Sequence, residues 1–190
     1  LQPASLMGII SGVPSESLLA WRHFAQTGGI TKEAITEEKK HIRKLLRAAG
    51  FEPSYQAPTI FPLPHPQLFG FMVNHEYHVR FDSADDITDA TIRGRRELYD
   101  AVRALRTLPG WEELRLIATA DHIGLREGRR VRGRYRLTAD DLMRGARFPD
   151  GICLVEFPVD VHALQGGKEH QGYSSEGVRS LPYHIPYRAL

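Results

Sequence analysis

The stretch TDATIRGRRELYDAVRALRTLPGWEELRLIATA, residues 88–120, decides the expected fold because it joins a helical pattern directly to a strand pattern. Thr88 is a favoured residue for the N-cap of a helix. Large apolar residues then recur at helical spacing, at Ile92, Leu98, Val102 and Leu105. A Pro-Gly pair ends this pattern at 109–110. We therefore predict a helix over 88–108, followed by a strand over 113–120.

The residues upstream of this stretch carry further helix and strand patterns. They predict a buried strand over 4–13, a short helix over 14–26, a longer helix over 31–50, and a half-buried hairpin of strands over 67–73 and 76–82. Five prolines within residues 52–66 predict an extended connector there, without a helix or a central strand.

Downstream, arginine alternates with other residues in RRVRGRYRL, residues 129–137. Side chains of a strand alternate between its two faces, so this spacing predicts a strand with one cationic face. A capping-box-like start at Thr138 predicts a short helix through Gly145. A strand over 152–162, a loop over 165–177 and a C-terminal edge strand complete the prediction.

Helices and strands thus mix without regular alternation. We predict an α+β fold in a single domain over residues 1–190, with an antiparallel or mixed β-sheet and helices packed mainly on one face. Hydrophobic residues make up 42% and charged residues 25% of the chain, as in ordinary globular proteins. The single cysteine, Cys153, excludes an internal disulfide and argues against a cysteine zinc site.

The charge of the chain is unevenly distributed. The net charge is only +2, but Gly124 to Arg147 contains eight arginines against three carboxylates, a local net charge of +5. Arginine suits planar, bidentate contacts with carboxylates and phosphates. General nucleic-acid binding predicts a larger total excess and more lysine, so no nucleic-acid partner is expected. No apolar run approaches a membrane span and no signal-peptide pattern is found, so the compartment is left open, with the cytoplasm favoured.

Sequence motifs for common active sites are missing from these residues. GxGxxG, Walker, HExxH and GxSxG patterns are all absent. His75 and His78 lack converging partners, and no metal site is predicted. Asp160 and His162 share one face of the predicted 152–162 strand, where the carboxylate could orient the imidazole or raise its pKa. A structural hydrogen-bonded pair is the favoured alternative for these two residues.

The segment IGLREGRRVRGRYRLTADDLMRGARFPDGI, residues 123–152, resembles the central signature of a bacterial group of FAD-dependent oxidoreductases, the xanthan-lyase-like flavoproteins. The resemblance extends to 1–7, 91–111, 157–162 and 185–190. It implies a substrate-binding or cap domain cut from a longer flavoenzyme, with the FAD-binding GxGxxG in another part of the polypeptide. Two departures are Gly128 and the Ala-Leu-Gln that follows His162.

The resemblance also implies roles for individual residues. Arg126 and His162 are the candidate catalytic residues, with His162 as an acid or base. The candidate residues that face the substrate or flavin are Arg129, Arg130, Tyr187 and Arg188. FAD is expected in the parent protein and not on this fragment, whose partners would be the FAD-binding domain and a small-molecule substrate.

Two other functions stay open from the residues alone. One is a stand-alone domain that binds anions or nucleic acid through the arginine-rich strand at 126–136. The other is a non-catalytic interaction module that retains the fold but binds no flavin.

Overall fold

The computed structural model describes residues 2–21, 27–29, 31–157, 159 and 179–190. Its main sheet consists of Met7–Ser11 (β1), Thr59–Pro62 (β2), Phe69–Met72 (β3) and Arg115–Thr119 (β4). All pairings are antiparallel, in the order β2-β3-β1-β4. Two long helices, Lys32–Ala48 (α1) and Ala84–Leu105 (α2), pack on this sheet. The architecture is therefore α+β, as predicted.

A smaller unit of secondary structure follows the main sheet in the chain. It contains the short helix Ala139–Met143 (α3) and the antiparallel pair Gly151–Val155 (β5) and Tyr183–Pro186 (β6). The predicted short helix and C-terminal edge strand are thus confirmed. The predicted strand over 152–162 is confirmed over 152–155, whereas residues 156, 157 and 159 are not in a strand. Residues 158 and 160–162 lie outside the described residues, as does the predicted loop over 165–177.

The core lies between the main sheet and the helices. Ile10, Ile60 and Phe71 of the sheet are fully buried, whereas Met7, on the opposite face of β1, is exposed. Gly8 permits a close approach of α2, since a Cβ there would lie 3.2 Å from the Leu98 side chain. Burial of such apolar side chains is the main force that holds helix and sheet together.

The two long helices begin and end at local signals. α1 is capped by Thr31, whose hydroxyl accepts a hydrogen bond from the Ala34 amide, and Gly50 follows it in the left-handed region at φ +78°. α2 begins four residues before the predicted start because Ser83, and not Thr88, is its cap. Ile92, predicted to lie in the buried stripe, is 51% exposed. No helix among the described residues is long and apolar enough to cross a membrane.

Three other predictions differ from the structure. Residues 76–82 do not form a strand: Glu76 makes one bridge to Ala4, and β3 pairs instead with β1 and β2. β2 lies inside the proline-rich connector, where an edge position tolerates Pro62. Of the predicted helix over 14–26, residues 15–17 form a 3₁₀ turn, residues 19–21 are α-helical as predicted, and 22–26 lie outside the described residues.

The predicted strand over 129–137 is also wrong. These residues follow an irregular path, and Val131, which a strand would place on the face opposite the arginines, is 71% exposed. One backbone hydrogen bond, from the Tyr135 amide to the Arg188 carbonyl at 2.9 Å, links this segment to the C-terminal turn. A period of two creates a strand only where a neighbouring strand supplies the ladder of hydrogen bonds.

Candidate functional site

An open cavity of about 590 Å³ lies beside the irregular arginine-rich segment. Arg130, Arg132 and Arg136 line it together with apolar groups that include Leu137 and Ile185. A volume of this size lies within the range of small-molecule sites, roughly 300–1,000 Å³. The cavity therefore combines positive charge with an apolar lining.

Backbone contact with the C-terminal turn forms one wall of the cavity. Gly133 lies so close to Ala189 that a Cβ would be 2.5 Å from the Ala189 carbonyl carbon. Two residues further on, the Tyr135 amide donates to the Arg188 carbonyl. A residue larger than glycine at 133 would push these two segments apart, so the wall depends on this position.

Arg188 holds the C-terminal turn against two aromatic rings. Its guanidinium carbon lies 5.1 Å from the centroid of the Tyr135 ring and 5.3 Å from that of Phe148. Its Nη1 atom also lies 3.0 Å from Oδ1 of Asp150. These distances are those of cation–π contacts and an ion pair, so the guanidinium binds groups of this chain beside the cavity.

Asp141 fixes the position of the Tyr135 ring in the cavity wall. This carboxylate is only 1% exposed and accepts hydrogen bonds from the Tyr135 hydroxyl at 2.7 Å and the Thr138 hydroxyl at 3.0 Å. It also pairs with Arg144. The Tyr135 hydroxyl, followed by the Thr138 amide, lowers the pKa of Asp141 well below its usual range. The same bond raises the pKa of Tyr135.

We expect this carboxylate to make stability depend on acid pH. Because the pKa of Asp141 is lowered on folding, its contribution is fully present above the unfolded pKa of about 4 and is lost as pH falls toward the folded pKa. Asp141→Asn should therefore lower Tm near neutral pH, and the difference from the native chain should shrink below about pH 4. Thermal unfolding followed by tyrosine absorbance measures this.

Asp140→Asn is the matched control, because Asp140 is an exposed neighbour in the same helical turn. It should leave both Tm and its pH dependence close to those of the native chain. A Tm difference for Asp141→Asn that stays constant across the acid range would contradict the assigned role of the carboxylate.

The six residues predicted for the site do not all meet at the cavity. Arg130 lines it, and its guanidinium is 3.9 Å from Glu127. Arg188 lies behind its wall, as described above. Tyr187 is 69% exposed, and its amide donates to the Asp150 carbonyl at 2.7 Å.

The other three predicted residues lie elsewhere. Arg126 donates to the Pro3 carbonyl and, at 2.9 Å, to the Ser5 hydroxyl, so it ties its segment to the start of the chain. Arg129 is exposed and does not line the cavity. His162 lies outside the described residues.

A second cluster of polar groups lies where the loop after α1 meets α2. Glu97 accepts hydrogen bonds from the amide and hydroxyl of Ser54, both at 2.7 Å, and burial raises its pKa. The Ser54 hydroxyl in turn accepts from the His75 amide at 2.9 Å. The chain of bonds connects loop and helix, and its role is structural. Within the described residues, no group of three or more His, Cys, Asp and Glu side chains could hold a metal ion.

Comparison with models of known protein families finds a match that covers the whole sequence. Residues 1–190 match the model of a family described as FAD dependent oxidoreductase. The chain belongs to the FAD-dependent oxidoreductase family. No curated protein and no solved structure matches it.

The described part of this FAD-dependent oxidoreductase chain does not fit the pyrophosphate of FAD. A dinucleotide pyrophosphate binds at a glycine-rich turn and the positive N-terminus of a helix. The first turns of α1, α2 and α3 instead contain acidic residues: Glu33, then Asp85 and Asp86, then Asp140 and Asp141. These carboxylates would repel a phosphate, so the N-termini of these three helices do not suit the cofactor.

Sequence reasoning missed several groups that form the cavity. It selected the arginine-rich segment but did not name Arg136 among the candidate site residues, and the structure makes it a lining residue. Ile185 and Ala189 come from the other side, about 50 residues away in the chain. The sequence itself contains Gly133, Tyr135 and the capping box that begins at Thr138. It does not indicate that Gly133 and Tyr135 contact the C-terminal turn.

Proposed function

We propose that this chain is the substrate-binding or cap portion of an FAD-dependent oxidoreductase. In the intact enzyme it would cover the flavin and position a small-molecule substrate for hydride transfer. When bound, the flavin would accept or donate the hydride, and the protein would supply orientation and electrostatics. The FAD-binding domain of the same polypeptide would be its partner.

The cavity with its three arginines carries this proposal. The family match supports redox chemistry with FAD, while the acidic helix starts speak against holding the pyrophosphate on the described part of this chain. A cavity of small-molecule size with a cationic lining suits a substrate site more than a dinucleotide cradle. We therefore assign substrate contact to this chain and FAD binding to its partner domain.

The proposal predicts a difference between the chain alone and the longer polypeptide that its gene would encode. The 190-residue chain should purify colourless, should not bind added FAD, and should have no oxidoreductase activity. The longer polypeptide should purify with bound flavin. Visible absorbance spectra and equilibrium dialysis with FAD measure both results.

Two outcomes would contradict the proposal in different ways. Stoichiometric binding of FAD by the chain alone would contradict its assignment as a cap that lacks the cofactor site. A longer polypeptide that folds but never contains flavin would indicate the non-catalytic interaction module instead.

The nucleic-acid alternative has less support. It depended on a continuous arginine strand over 126–136, whereas residues 129–137 do not form a strand and Arg126 binds the start of the chain. We expect no salt-dependent binding of DNA or RNA, which a fluorescence anisotropy titration at low and high salt would test.

A further inference from the structure

We infer that the cavity between the arginine-rich segment and the C-terminal turn binds an organic anion that carries an apolar ring or chain. The inference rests on the proposed function in one respect only, namely that this ligand is the substrate of the enzyme. The binding itself is assigned to the 190-residue chain and requires no flavin. Charge, apolar surface and a fixed wall each support it.

Most of the positive charge at the cavity is not neutralised by a carboxylate of the described residues. Among the described residues, no carboxylate lies within ion-pair distance of Arg132 or Arg136, and Arg130 is 3.9 Å from its nearest one, Glu127. Other arginines of the same region are paired: Arg144 with Asp141 and Arg188 with Asp150. Arg132 and Arg136 thus line the cavity without a carboxylate partner among the described residues, and there they can form bidentate bonds to a carboxylate or phosphate.

Apolar surface lies beside these charges. Val131 is largely exposed, and Leu137, Ile185 and Ala189 are half-buried in the lining. A site for a bare inorganic anion needs no such surface. Apolar groups next to a few convergent polar groups are instead typical of sites that bind organic molecules.

The wall of the cavity is held by contacts within the chain itself. The bond from Tyr135 to Asp141 holds the ring, and the hydrogen bond from the Tyr135 amide to the Arg188 carbonyl holds the backbone. A preorganised wall reduces the entropic cost of binding. These contacts give the cavity a defined wall.

The test compares four probes on the isolated chain by NMR titration of its amide signals. Phenylphosphonate combines a dianion with a ring, inorganic phosphate supplies the charge alone, and benzyl alcohol supplies the ring alone. FMN, which carries a phosphate on a flavin, tests whether the organic anion that the cavity binds is the flavin cofactor itself. We expect phenylphosphonate to bind more tightly than phosphate or benzyl alcohol and to shift the amides of 130–137 and 185–189.

The variants separate the cavity from general positive charge. Combined Arg132→Gln and Arg136→Gln substitutions should weaken phenylphosphonate binding by about 10- to 100-fold, the range for losing charge-assisted hydrogen bonds. Arg134→Gln is the matched control, because Arg134 is an exposed arginine between these two that does not line the cavity. It should change the affinity by less than about twofold.

Each result supports or overturns the inference. Preferential binding of FMN at the same amides would support the ligand chemistry and identify the flavin as its source. Equal affinity for phosphate and phenylphosphonate, equal losses in all arginine variants, or no binding of any probe would overturn it. Because FAD is absent from the titration, failure here is distinguishable from failure of the flavin test on the longer polypeptide.

Discussion

Replacing Asn74 with alanine is expected to lower the free energy of unfolding by about 3–5 kcal/mol, because it leaves two buried backbone groups without partners. Asn74 is the only asparagine of the chain and is fully buried. Its Oδ1 accepts from the Leu6 amide at 2.8 Å, and its Nδ2 donates to the Leu6 carbonyl at 3.0 Å. A further bond reaches the Gly94 carbonyl of α2 at 3.4 Å. Urea unfolding followed by circular dichroism measures the loss.

The side chain of Asn74 thus takes the place of a neighbouring strand for Leu6. A loss of this size is a large part of a typical domain stability of about 5–15 kcal/mol. Gln67→Ala is the control, since Gln67 is exposed, and its effect should stay within about 0.5 kcal/mol. An Asn74→Ala chain that unfolds at the same urea concentration as the native one would show that water or a shifted backbone satisfies Leu6.

Sequence reasoning predicted the helices better than the strands because helix signals are local. Thr31 and Gly50, which bound α1, lie within the turns that they cap. The start of α2 was misplaced because both Ser83 and Thr88 are suitable caps and local preference does not decide between them. Ser83 has the acidic pair that follows it in the first turn, and its hydroxyl accepts from the Asp86 amide.

Strands depend on partners that the local sequence does not contain. Residues 129–137 have the period of a strand, but their backbone contact in the structure is with the C-terminal turn through Tyr135 and Arg188. Residues 59–62 contain a proline and yet pair with β3, since an edge strand tolerates a missing donor. Pairing between distant segments decided both cases.

The sequence predicted the positive charge of the candidate site but not which residues line its cavity. The local excess of arginine pointed to an anion, and the cavity is lined by arginine. Which arginines are neutralised depends on carboxylates such as Asp141 and Asp150, whose positions follow from the fold. The apolar part of the lining is divided between the arginine-rich segment, with Val131 and Leu137, and the C-terminal residues Ile185 and Ala189, so no single segment of the sequence contains it.

Replacing Gly12 with alanine is the second change with a large expected effect. Gly12 follows β1 at φ +73°, a conformation that costs other L-residues about 1–2 kcal/mol. A Cβ at this position would also lie 2.1 Å from the Glu113 carbonyl oxygen, beside the start of β4. Relief of that contact requires a shift of the backbone where β1 and β4 meet, at a cost of about 1–3 kcal/mol. The expected total loss is about 2–5 kcal/mol.

Gly50→Ala separates the two contributions to this loss. Gly50 has nearly the same backbone conformation, φ +78°, but no atom lies within 4 Å of its Cβ position. The Gly50→Ala variant should therefore lose only the conformational contribution, about 1–2 kcal/mol of the free energy of unfolding. Urea unfolding of both variants gives the difference, which measures the contact with Glu113. Equal losses at Gly12 and Gly50 would mean that the junction of β1 and β4 accommodates a side chain, and that the conformation alone requires glycine.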